Sequence, residues 1–379
     1  MPASSLAVVR RESLPVGPMQ GTAAGRSDPS LKDSALQAEE QAGALYSVGR
    51  YEEALRLQQH SVQLHRQLAA QDPSQRFKLA ASLHNLGVVL IRLGRKNEAI
   101  QPTQASLAIY REESAGGSAH SAALERPLRN LVLLYFEANR PQEALPLADD
   151  LVRLHQSKTA DAPALEAEGM DVLNLRASLL VALNRPQEAF RDLEVAVSLG
   201  RRLLQRSPKD AGFQYGLAGS LVNLSQVADL LGRFSLALRP AQEAEELLRQ
   251  VARAQPQLIG DWAKSLSRLG QAYAQVGDPD RARAPLQESI ALLRLLSRSG
   301  PAETLVVEPG GYRDDLAHAL ETLAIVQNQL KQPQEARSTG EEALAIYRGL
   351  AEVEPRYSKD VSRTWSWLTD LIQTPPLRR

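Results

Sequence analysis

The chain has 379 residues, of which 43% are hydrophobic, 23% charged and only 4% aromatic. Its 44 Lys and Arg balance 44 Asp and Glu, so no overall field draws it to nucleic acid or to an anionic membrane. The absence of cysteine excludes disulfides, thiolate metal sites and a catalytic thiol.

Residues 1 to about 31 scatter Pro, Gly, Ser and Arg without helical periodicity, and a disordered leader is expected there. Leu6 to Val9 is too short for the apolar region of a signal peptide, and no apolar run approaches membrane-spanning length. A cytoplasmic protein with no membrane partner is therefore expected.

From Leu36 onward the chain repeats itself. Ala54, Ala99, Ala144, Ala189, Ala237, Ala282 and Ala336 follow one another at spacings of 45, 45, 45, 48, 45 and 54 residues. Five residues before each stands Gly49, Gly94, Asn139, Asn184, Gly232, Gly277 or Lys331. Glycine and asparagine accept the left-handed conformation that ends a helix, so each marks a break between two helices. Lys331 departs from that rule, and Pro333 is expected to help end its helix. Pro141, Pro186, Pro279 and Pro333 sit just past the breaks, where a helix start has no use for the missing N–H.

Before each break, pairs such as Leu83 and Leu86, Leu128 and Leu131, Leu221 and Leu224, Leu266 and Leu269, and Leu320 and Leu323 place apolar residues on one face of a first helix. After it, Leu57, Val62, Leu64 and Leu68 exemplify a longer second helix. Seven residues past the alanine come Ser61, Ser106, Leu151, Ala196, Ala244, Ser289 and Ala343, small except for Leu151. Residues 299–312 form an insertion between the sixth and seventh repeats, with Leu305, Val306 and Val307 at its middle. Val361, Trp365, Leu368 and Leu371 repeat the first-helix pattern without a second helix and so predict a capping helix over 359–373. In that register Trp365 and Leu368 face the core, and Trp367 is either exposed or packed under the tail.

The residues Leu83, Asn85, Leu86 and Gly87 with Gly94, Arg95, Glu98 and Ala99, and Tyr347, Arg348, Leu350 and Ala351 with Pro355, resemble the tetratricopeptide repeat, in the long form of kinesin-light-chain-like and bacterial arrays. The resemblance spans about residues 34 to 372. It implies an all-α solenoid of about seven antiparallel helix pairs, in a right-handed superhelix with a C-terminal capping helix. The repeats would run over about 34–75, 76–120, 121–165, 166–212, 213–258, 259–312 and 313–358.

No constellation in the sequence argues for catalysis. His60, His65, His84, His120, His155 and His318 lie in different repeats or out of register, and no phosphate loop or nucleophile elbow is present. No cofactor or metal is expected. In the family the first helices line a groove, and an Asn beside the second Leu bonds an extended peptide. Asn85, Asn130 and Asn223 hold that place here, with Arg268 in the sixth repeat. The alternative is that these Asn bridge neighbouring first helices. Arg126, Arg129, Lys264, Arg268, His318 and Arg363 predict a mildly basic groove with few opposing acids, Asp171 and Glu321 being the clearest. Such a groove suits an acidic peptide. The resemblance thus implies a non-enzymatic protein-interaction scaffold or adaptor that holds a peptide segment or partner helix. The other reading is a peptide-sensing regulator whose solenoid changes shape on binding.

Overall fold

The computed structural model describes residues 29–114, 121–156, 163–298 and 311–373. The leader up to residue 28, residues 299–310 of the insertion with Leu305, Val306 and Val307, His120 and the tail from 374 lie outside the described residues. Among the described residues there are fifteen α-helices and no strand, as an all-α solenoid requires.

The helices group into two compact units. One contains α1 (Pro29–Ser47), α2 (Tyr51–Gln71), α3 (Arg76–Arg92), α4 (Lys96–Ser114), α5 (Ser121–Glu137), α6 (Pro141–Gln156) and α7 (Pro163–Ala182). The other contains α8 (Pro186–Arg206), α9 (Ala211–Leu230), α10 (Phe234–Ala254), α11 (Ile259–Gln275), α12 (Pro279–Arg298), α13 (Arg313–Gln329), α14 (Pro333–Val353) and α15 (Ser358–Gln373). Within each unit every helix packs on the next in the chain. The first helix begins at Pro29, inside the stretch expected to be leader.

The breaks have the geometry that the residue types require. Gly49, Gly94, Gly232 and Gly277 have φ of 78°, 72°, 67° and 82°, and Asn139 and Asn184 have 55° and 57°. The turns share one hydrogen-bond pattern, seen at the first of them: Gly49 N–H donates to the Tyr46 carbonyl at 3.1 Å and Arg50 N–H to that of Leu45 at 2.9 Å. Lys331, where Pro333 was expected to help end the helix, itself adopts the same left-handed conformation, with φ of 60°. Its N–H reaches the Asn328 carbonyl at 3.0 Å and that of Gln332 reaches Gln327 at 2.9 Å. The turn is dictated by those bonds, and the lysine Cβ bears the strain. Lys331→Gly should therefore stabilise the α8–α15 unit by about 1 kcal/mol in urea unfolding, the lower end of the left-handed cost.

The seven alanines that define the period all have 0% exposure, as do Ser61, Ser106, Leu151, Ala196, Ala244, Ser289 and Ala343. These two positions form the line along which the helices of a pair approach. Gly87 shows how close that approach is, since a Cβ there would stand 2.3 Å from Thr103 Oγ1. A second regularity lies at the starts of the second helices. Arg50, Arg95, Arg140 and Arg185 each fork onto the Glu three residues later, with Nε–Oε1 distances of 2.6, 2.8, 2.5 and 2.6 Å. These pairs lie in solvent, where water screens them, and they contribute little to stability.

The capping helix is present as α15, but its buried face is turned from the expected one. Thr364 and Leu368 are buried, whereas Trp365 is 56% exposed and stacks beneath the Arg348 guanidinium, 5.2 Å from the ring centroid. Trp367 is half-buried against Gly340, where an added Cβ would meet its Cζ3 at 3.0 Å. The physical reason is polar: the Thr364 hydroxyl donates to Glu321 Oε1 at 2.8 Å and fixes that face of α15 towards α13.

Candidate functional site: the first-helix faces

The residues expected to line a groove lie on the first helices, and four of the nine, Asn85, Lys264, Arg268 and Arg363, bond to an adjacent first helix. In the α1–α7 unit Asn85 is 3% exposed and donates from Nδ2 to Glu39 Oε1 of α1 at 3.3 Å. Nearby, Arg92 Nε donates to the Tyr46 hydroxyl at 2.8 Å. On α5, Asn130 and Arg129 are buried, and Arg129 Nη2 lies 3.4 Å from Glu125 Oε1, while Arg126 is exposed.

In the α8–α15 unit Asn223 has 0% exposure. Arg268 is enclosed: its Nη2 is 2.8 Å from Asp229 Oδ2, its Nε donates to the Ser225 hydroxyl at 3.0 Å, and both side chains of the ion pair are 9% exposed. Gln275 donates to the same Asp229 oxygen at 2.7 Å. Tyr215 donates its hydroxyl to Asp261 at 3.0 Å. Lys264 lies 3.2 Å from Asp315 and 5.8 Å from the Tyr312 ring centroid. Arg363 bonds Glu321 through Nη2 at 2.7 Å and Nε at 3.1 Å, with Asp360 at 2.6 Å. His318 is exposed.

Two expectations change here. Asn85, Asn130 and Asn223 are buried rather than open to a groove, and Asn85 follows the alternative in which it bridges neighbouring first helices. The anticipated scarcity of acids does not hold either, because Glu125, Asp229, Asp315, Glu321 and Asp360 sit against Arg129, Arg268, Lys264 and Arg363. The sequence does carry a signal for this. Partners on adjacent first helices recur 42 or 46 residues apart, as in Glu321 with Arg363 and Asp229 with Gln275. Pairing Arg268, Lys264 and Arg363 with acids 39, 51 and 42 residues away would have found Asp229, Asp315 and Glu321, whereas Glu125 and Asp360 lie one turn from their cations on the same helix.

The environment sets the charges. Burial pushes the Asp315 carboxyl up against the opposing pull of Lys264. For Lys264, burial lowers the ammonium, but the carboxylates of Asp315 and Asp261 outweigh it and hold it above its usual value. Burial, with Asp261 adding to it, raises the Tyr215 phenol, which stays a hydrogen-bond donor.

What remains open to solvent follows one register. Arg126, Lys264 and His318 each stand eighteen residues before their repeat's alanine, and Arg363 continues that register on α15, forty-five residues beyond His318. Lys264 and Arg363 keep 48% and 51% of their side chains exposed despite their ion pairs. Successive first helices α11, α13 and α15 thus present three basic residues in one row.

Two family profiles described as tetratricopeptide repeat match the chain, over residues 34–112 and 262–299. The chain therefore carries tetratricopeptide repeats over these stretches. Among solved structures it is similar to a signal-transduction ATPase with a tetratricopeptide repeat sensor from Pyrococcus horikoshii. That match has 13% identity, covers 87% of this chain and 44% of the other, and has a TM-score of 0.56. It is also similar to the apo form of RapI, at 10% identity over 84% of this chain and 99% of that one, with a TM-score of 0.54. A tetratricopeptide repeat protein from Parabacteroides merdae is 15% identical over 88% of this chain and 99% of its own, with a TM-score of 0.47. No curated protein matches the chain. No helix among the described residues is long and apolar enough to cross a membrane.

Proposed function

We propose that the chain is a non-enzymatic interaction scaffold that holds a peptide segment or partner helix, acidic in character, against the first-helix faces of its repeats. Proteins of this repeat family generally bind protein or peptide partners. The observation that carries the reading is the row Lys264, His318 and Arg363 on α11, α13 and α15. Its two cations, Lys264 and Arg363, are held in place by Asp315 and Glu321 yet remain half-exposed, so a partner carboxylate meets positioned donors and little side-chain entropy is lost. The same internal acids weaken the field, so affinity should be modest and spread over several contacts. Of the nine residues first expected to face a groove, Arg126 and His318 are exposed, Arg129 and the three Asn are buried, and Arg268 is enclosed.

Linear peptides selected from a random library against the full chain should be enriched in Asp and Glu. By fluorescence anisotropy their affinity should fall about tenfold or more in His318→Glu, the loss of charge-assisted contacts of about 1.5 kcal/mol or more. Glu194→Lys, on the second helix α8, should leave it unchanged. Failure to select any peptide, or equal binding by His318→Glu and the unaltered chain, would refute the proposal.

A further inference from the structure

The third repeat breaks the pattern of the array at one place. Nineteen residues before each defining alanine the other repeats carry Ala35, Ala80, Met170, Ala218, Ala263 and Ala317, all at 2% exposure or less, where the third carries Glu125. Packing does not call for a carboxylate in that seat. The facing position is altered too. Ser106 and Ser289 donate to the carbonyls of Ala80 and Ala263, each at 2.7 Å, but Leu151 takes the serine's place in the third repeat and has no hydroxyl to give.

A histidine and a second carboxylate stand at the same spot. Ligand atoms of Glu125 on α5, His155 on α6 and Glu168 on α7 all lie within 4.8 Å of one another. The His155 side chain is only 7% exposed, with Nε2 3.1 Å from Glu125 Oε1. Its Nδ1 is buried and meets no hydrogen-bond partner. One imidazole nitrogen and two carboxylate oxygens at these separations can close around a single ion, leaving a fourth place for water. We propose that Glu125, His155 and Glu168 form a divalent-cation site of the zinc class that ties α5, α6 and α7 together. The nitrogen ligand and the small coordination number favour zinc over magnesium, which prefers an octahedron of oxygens. Arg129, 3.4 Å from Glu125 Oε1, is the cation that an ion must compete with. Spacing along the sequence hides the site, because its three ligands come from three successive helices, thirty and thirteen residues apart.

The test is calorimetric titration of the full chain, freed of metal by chelator, with zinc chloride and separately with magnesium chloride. One zinc ion per chain should bind, and magnesium at the same concentration should not. His155→Gln should abolish binding, Glu168→Gln should weaken it more than about tenfold, and Arg129→Gln should tighten it. His60→Gln, at an exposed histidine on α2, should change nothing. Zinc should also raise the thermal midpoint followed by circular dichroism in the unaltered chain and not in His155→Gln. No binding, or stoichiometric binding that survives in folded Glu168→Gln and His155→Gln at full affinity, would overturn the proposal.

Discussion

Arg268→Ala should cost the α8–α15 unit about 3–5 kcal/mol, a large share of what a domain of this size has to lose. The guanidinium is 9% exposed, as is the Asp229 carboxylate that it meets at 2.8 Å. Removing it leaves that carboxylate buried with only the amides of Gln271 and Gln275, at 3.4 and 2.7 Å, to solvate it. The penalty is the desolvation of a stranded charge rather than the net worth of the pair. A double replacement, Arg268→Met with Asp229→Leu, removes both charges and should recover most of the loss. Urea unfolding followed by circular dichroism distinguishes the cases. If the single and double variants lose the same amount, the pair is not what holds α9 and α11 in register. Arg363→Ala should cost less, because half of that side chain is already exposed and the Thr364 hydroxyl still donates to Glu321.

That contrast explains why the fold was legible in the sequence and much of the site was not. The period, the breaks and the small-residue seams each depend on one residue's conformational or steric property. Ala237 is fully buried at the place where every repeat carries the same small residue, and Gly232 is at a turn because φ there is 67°. Such properties can be read position by position. The orientation of a polar side chain on a first helix depends on what the next repeat offers it. Asn85 looks like a peptide-binding amide until Glu39 is placed beside it, and Arg268 looks like a free cation until Asp229 is. The same dependence turned the face of α15, where Trp365 has the better apolar credentials but Thr364 has Glu321 to bond. Lys331 marks the opposite limit, a residue whose own preference is overruled by the turn in which it sits.

The second large effect is one of pH. His84 on α3 has 0% exposure, and neither ring nitrogen meets a hydrogen-bond partner. Burial, with the nearby charge of Arg126 adding to it, lowers its pKa from 6.5 to about 4. Above pH 6.5 the imidazole is neutral in both folded and unfolded chains and makes no pH-dependent contribution. Between 6.5 and 4 the unfolded chain takes up the proton and the folded chain does not, so stability falls as the pH falls; below about 4 both carry it and the loss stops growing. At about 1.4 kcal/mol per pH unit, the α1–α7 unit should lose about 3 kcal/mol across that window. His84→Leu should abolish this component and, by removing two unsatisfied nitrogens from the interior, should also stabilise the unit at pH 7 by about 1 kcal/mol or more. Carboxylates titrate in the same range, so the quantity to measure is the difference between the unaltered chain and His84→Leu at each pH. A difference that stays flat from pH 7 to 4 would mean that His84 gains a proton inside the fold without penalty. The stack around α3 would then have to open locally to admit water.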